Sequence, residues 1–81
     1  MFERWGRRWE CLRGYAIDPA GWWFELRDVT DDPTGEAALF AFRPEGSGAI
    51  EIRQYASGLP SEVIAWFTGE AESAIGNPEL T

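Results

Sequence analysis

From Trp22 onward the chain alternates, with Trp22, Phe24 and Leu26 in one phase and Trp23, Glu25 and Arg27 in the other. That is the pattern of a half-buried strand, Trp22–Val29, in which adjacent tryptophans must point to opposite faces. Trp22 is the core anchor. Trp23 is then either covered by a helix or offered to a partner, and the alternation leaves both open. Asp18-Pro19-Ala20-Gly21, just before it, has turn chemistry: Pro19 sets an early φ and Gly21 tolerates φ > 0. Leu12–Ile17 reads as the preceding strand, with Gly14 marking a bulge or a close approach. Ala37–Arg43 is apolar in both phases, Leu39 in one and Phe40 and Phe42 in the other, as in a central strand. In Ala49–Tyr55, Ile50 and Ile52 face one way and Glu51, Arg53 and Tyr55 the other. Thr30–Glu36 and Pro44–Gly48 are loops by their Asp, Pro and Gly content.

Two stretches have helical rather than strand spacing. Phe2, Trp5, Trp9 and Leu12 recur at intervals of three, four and three, which predicts a short helix over 2–10. A strand beginning near Trp9 is the competing reading. After the break at Ser57–Pro60, Ser61 is placed as an N-cap with Glu62 in the first turn. Val63, Ile64, Phe67 and Ala71 then form an apolar stripe that should lie on the sheet. Gly69 either ends this helix or lets it fray to Ile75, and 76–81 reads as a loose tail. The predicted architecture is one α+β domain over residues 1–81. It is a four-stranded antiparallel meander with a C-terminal helix packed on one face and a short N-terminal helix.

Composition narrows the chemistry. The 81 residues carry no histidine and one cysteine, so neither an intrachain disulfide nor a metal site is expected. The lone thiol fits a reducing compartment, and Cys11 reads as a small core residue. No apolar run is long enough to cross a membrane, and the charged N-terminus does not read as a signal peptide. The net charge is −7. Residues 1–13 sum to +2 and residues 14–81 to −9, with every cation an arginine. Such a body repels nucleic acid and anionic membrane and favours cationic partners. No catalytic or cofactor-binding set is expected. Asp31-Asp32 and Glu70/Glu72 read as solvated surface. Ser47 in EGSGA lacks both the Walker lysine and a full G-x-S-x-G, and the acids of Asp28–Glu36 lack EF-hand spacing.

The order of motifs resembles a known family. It runs Trp9-Glu10, then Tyr15–Ile17 as a Tyr-x-Ile step, then Asp18-Pro19-Ala20-Gly21-Trp22 leading into the alternating strand. It closes on the helix Leu59-Pro60-Ser61-Glu62-Val63-Ile64-Ala65-Trp66-Phe67. This is similar to the bacterial immunity proteins of the family numbered fifty-three in polymorphic toxin systems, over residues 5–68. The resemblance implies a cytoplasmic, non-enzymatic protein that binds and blocks a cognate toxin. A basic, nuclease-like partner would suit the acidic body. By pleat phase Trp23 lies with Glu25 and Tyr55 with Glu51. The expected partner-binding set is therefore Trp23, Glu25, Asp28, Asp31, Asp32, Glu51 and Tyr55, an aromatic pair among carboxylates with the Asp31-Asp32 loop at the rim. Two alternatives have the same charge and size: a phage-encoded inhibitor of a nucleic-acid-binding host defence, and a non-inhibitory module that dimerises through Trp23 and Tyr55.

Overall fold

The computed structural model describes residues 1–32 and 34–76. The order is β1 (Phe2–Arg4), β2 (Arg7–Ile17), β3 (Ala20–Asp28), β4 (Ala37–Pro44), β5 (Glu51–Gln54) and α1 (Ser61–Ile75). The strands form one antiparallel sheet in chain order, with α1 on a single face. The α+β meander and its C-terminal helix are as expected. The strand number and the N-terminus are not.

The N-terminal helix is absent, and residues 2–17 form a β-hairpin. Phe2 pairs with Trp9 and Arg4 with Arg7 around a two-residue loop, Trp5-Gly6. Both loop residues have positive φ, 54° and 75°, the combination of a type I′ hairpin turn. The helical spacing of Phe2 and Trp9 is a coincidence of register, since they meet across two strands rather than along one helix. A tryptophan in the left-handed region costs about 1 kcal/mol or more. Aromatic packing offsets that cost. The Trp5 ring meets Trp9 edge-on at 6.1 Å and Trp66 at 5.7 Å, and the Arg4 guanidinium lies 4.5 Å from its centre.

The core lies between α1 and the face shared by Trp9, Phe24, Leu26, Leu39 and Ala41. Val63, Phe67, Ala71 and Ile75 recur every four residues and supply the helix side. The Phe24 and Phe67 rings stack at 5.3 Å. Trp9, only 2% exposed, is the buried tryptophan, and its indole N–H donates to the Arg4 carbonyl. Trp22 shares this face but is 39% exposed, so it is not the core anchor. It pairs with Tyr15 and Arg43 near the far end of the sheet, and its ring packs on Tyr15 at 4.7 Å.

Two local expectations also change, at the β2–β3 turn and at Ser61, and the choice left open at Gly69 is decided. Asp18 and Pro19 alone, joined by a cis peptide bond, connect β2 to β3, with Ile17 and Ala20 paired across them. Gly21 therefore belongs to the strand, not the turn. Ser61 does not cap α1. It is the first helical residue, Pro60 holds the cap position, and no side chain bonds there. The Pro60 carbonyl instead accepts from the N–H groups of Val63 and Ile64. Finally, α1 passes through Gly69 and ends at Ile75. No basic residue lies in its last turn. The sheet supplies the missing charge: buried Arg43 donates from Nε to the Ile75 carbonyl and from a terminal nitrogen to the Ser47 carbonyl at 3.0 Å. Apart from Gly76, the tail expected over 76–81 lies outside the described residues.

Candidate interaction surface

Among the described residues, the opposite face of the sheet carries no helix. Register places Leu12, Gly14 and Ala16 of β2, Trp23, Glu25 and Arg27 of β3, Phe40 and Phe42 of β4, and Glu51 and Arg53 of β5 on it together. Trp23 is half-buried here, on the side away from Val63 and Phe67, so the helix does not cover it. Neighbours within the sheet bury the rest of its ring. Trp23 and Phe40 stack with ring centres 6.4 Å apart and planes 15° from parallel.

Two glycines seat these rings. A Cβ on Gly14 would stand 2.7 Å from Cζ2 of Trp23, and a Cβ on Gly21 2.5 Å from Cζ of Phe42. Both rings thus lie down against the backbone of a neighbouring strand. The result is a low aromatic floor facing outward. Beside it runs a groove of about 240 Å³, with Ala16 and Pro19 at one end and Glu51 and Arg53 along β5.

The expected acidic set does not gather here as a whole. Glu25 and Glu51 do share this face with Trp23. Glu25 contacts the Arg27 Nε at 3.4 Å, although that nitrogen forms no aligned hydrogen bond, whereas Glu51 is exposed. Asp28 pairs with Trp9 in register and so belongs to the opposite phase, at the far end of the strand. It and Asp31 both bind Arg7. Burial pushes the Asp28 carboxyl up, but hydrogen bonds from the Thr30 hydroxyl and N–H and from Arg7 outweigh it and hold the group below its usual range. Asp32 accepts from the Thr34 hydroxyl at 2.8 Å and N–H at 2.9 Å, which lowers its pKa as well. Asp28 is five steps along the strand from Trp23, roughly 16 Å at strand rise. The acidic loop therefore neighbours the arginines of the first hairpin, not the aromatic floor. Tyr55, 58% exposed, lies one residue past β5 and donates its N–H to the Ala38 carbonyl.

Phe40, Phe42 and Arg53 belong to the surface and were missing from the expected set. The signal was present, since Ala37–Arg43 is apolar in both phases. Recognising it required the register that sets Phe42 opposite Trp23.

Cys11 is packed beside the core on the helix side, where burial and then the Glu70 charge raise its thiol pKa. Among the described residues no three potential metal ligands cluster, and no helix is long and apolar enough to cross a membrane. Among the described residues, the fold and surface define a class: a one-helix, five-stranded α+β domain with an aromatic sheet face on the side away from the helix. No protein-family model, curated protein or solved structure matches the chain.

Proposed function

We propose that this chain is a non-catalytic binding domain that neutralises a basic protein partner, as an immunity protein does, by docking it on the helix-free aromatic face. One observation carries the reading: Trp23, the residue type most favoured as an interface anchor, lies half-exposed beside a groove and outside the helix-side core. A net charge of −7 supports a basic partner. The face itself carries both signs, so this charge acts mainly as a long-range field that speeds encounter. Exposed Glu51, next to the groove, is the acid best placed for direct contact. The resemblance to toxin-neutralising proteins and the lone reduced thiol agree with a cytoplasmic setting.

Co-expression tests the proposal. Proteins encoded beside this chain are produced one at a time in a heterologous bacterial host, and any that arrests growth is co-expressed with it. The wild type should restore growth and bind that protein in calorimetry. Trp23→Ala should weaken binding by about 2 kcal/mol, roughly 30-fold, while staying folded. Asp31→Lys with Asp32→Lys should slow association and flatten its salt dependence. Full protection by Trp23→Ala, or a chain that relieves none of its neighbours, would defeat the reading.

A further inference from the structure

The outer edge of β5 has the form of a self-pairing strand. β5 is the last strand of the sheet and is bonded only to β4. The Tyr55 N–H donates to the Ala38 carbonyl at 2.9 Å, and Arg53 and Glu51 sit opposite Phe40 and Phe42. In an antiparallel ladder, inward-bonding residues alternate with outward ones. The backbone groups of Glu51, Arg53 and Tyr55 therefore face β4, while those of Ile52 and Gln54 face away. All four residues of β5 are exposed, and Ile52 is 37% exposed despite being apolar. The strand contains no proline and no lysine, and its register with β4 has no bulge. Of the usual devices that keep an edge from pairing, it has only its four-residue length and its two charges, and those charges are of opposite sign.

The charges on this edge select one occupant and one register. Two β5 strands can bond only by matching outward residues with outward residues, so even-numbered positions must face even-numbered positions. Centring the pair on Glu51 sets two carboxylates against each other. Centring it on Arg53 sets two guanidiniums together, and centring it on Gln54 sets Arg53 opposite Tyr55 and leaves Glu51 without a partner within the strand. Centring it on Ile52 places Glu51 opposite Arg53 of the second copy, and Arg53 opposite Glu51, on the helix-free face. Both fall at non-hydrogen-bonded positions, where Cα atoms approach to about 4.5 Å and side chains interact most closely. On the other face the two exposed Ile52 side chains meet and leave water.

We infer that β5 is the seat of a two-fold dimer of this chain, in which Glu51–Gln54 pairs antiparallel with its copy about Ile52. The two five-stranded sheets become one continuous sheet. Both helices lie on one side of it, and both aromatic grooves lie side by side on the other. Glu51 and Arg53 line the groove as well as this seam, so the dimer is read from mass alone, without any partner at Trp23.

Sedimentation equilibrium on the full chain, taken up to its solubility limit, tests it. The mass should rise from 9.1 kDa toward twice that value as concentration increases. Glu51→Arg alone and Arg53→Glu alone should each weaken association at least about tenfold, since each sets like charges opposite one another. Mixing these two variants should restore association as a heterodimer, and the double variant should associate like the wild type. Ile52→Pro should stay monomeric with a near-normal melting point, because an edge proline is tolerated where the N–H faces solvent. Trp23→Ala should leave the dimer intact. A wild-type chain that remains at 9.1 kDa throughout, single reversals that associate normally, or a mixture that does not recover would each overturn the inference.

Discussion

Gly14 and Trp23 should be energetically coupled, and a double-mutant cycle measures by how much. A Cβ at position 14 would meet Cζ2 of Trp23 at 2.7 Å and Cε2 at 2.9 Å, so Gly14→Ala forces the ring off the sheet. The ring can lift, because no helix lies over it. The cost is therefore lost packing rather than backbone distortion. Truncating a fully buried large aromatic costs about 3–5 kcal/mol, and for this half-buried ring about half of that is at stake. Lifting it forfeits part of that half, on the order of 1.5 kcal/mol. Against this, replacing glycine with alanine in a strand recovers about 0.5–1 kcal/mol of chain entropy. Gly14→Ala should thus destabilise the wild type by roughly 1 kcal/mol and stabilise Trp23→Ala by about 0.5 kcal/mol, a coupling near 1.5 kcal/mol. Urea unfolding followed by far-ultraviolet circular dichroism reads all four chains without depending on tryptophan emission. Effects additive to within about 0.5 kcal/mol would mean that the ring does not rest on Gly14.

Gly21→Ala should cost more than Gly14→Ala, about 2–3 kcal/mol, because its Cβ would also meet the Arg43 carbonyl at 2.6 Å; Phe42→Ala should not rescue it in urea melts. Phe67→Ala should cost about 3–5 kcal/mol and Trp22→Ala only about 1–2, because Phe67 is fully buried and Trp22 is 39% exposed; thermal midpoints in the reverse order would reject the face assignment. Ser61→Ala should change stability by less than about 0.5 kcal/mol, since no side-chain bond caps α1; a loss near 1 kcal/mol would show that Ser61 does cap. The Asp28 carboxyl has its pKa lowered in the folded chain, so its contribution is full above the unfolded value of about 3.9 and is lost as pH falls through the folded value. An acid titration of stability should accordingly be shallower for Asp28→Asn than for the wild type.

Much of the middle of the chain was legible because its alternation is strict. The faces of Trp22–Asp28, the two-sided character of Ala37–Arg43 and the stripe of Val63, Phe67 and Ala71 all follow from period alone. What failed was whatever depends on a partner strand. The spacing of Phe2, Trp5 and Trp9 fits a helix as well as a hairpin, and Trp5-Gly6 lacks the Asn-Gly or Asp-Gly usual in a type I′ turn. Trp22 has the right phase for the core, but its exposure depends on where α1 ends. The phase of Asp28 already set it with Trp22 rather than Trp23, so grouping it with the aromatic face went against the same alternation. Arg43 follows Leu39 and Ala41 in phase, and its burial needed the Ile75 carbonyl as acceptor, which no local pattern shows.

The positions of the glycines bear on which face is under functional constraint. Glycine is a poor strand residue, and each one in a strand interior weakens it by about 0.5–1 kcal/mol. On the helix side, the core is filled by Trp9, Phe24, Leu26 and Leu39 with no glycine among them. Both β-strand glycines, Gly14 and Gly21, are on the other side, and each lies beneath an aromatic ring. A surface meant only for water would fill those positions with threonine or a charged residue, gaining strand propensity and solubility together. Here an 81-residue domain, with little stability to spare, gives up propensity where no core requires it. The return is a flat floor of Trp23, Phe40 and Phe42, half-buried on the face away from α1. A local rule broken away from the core, at a face that presents anchor residues, is where a binding site is expected.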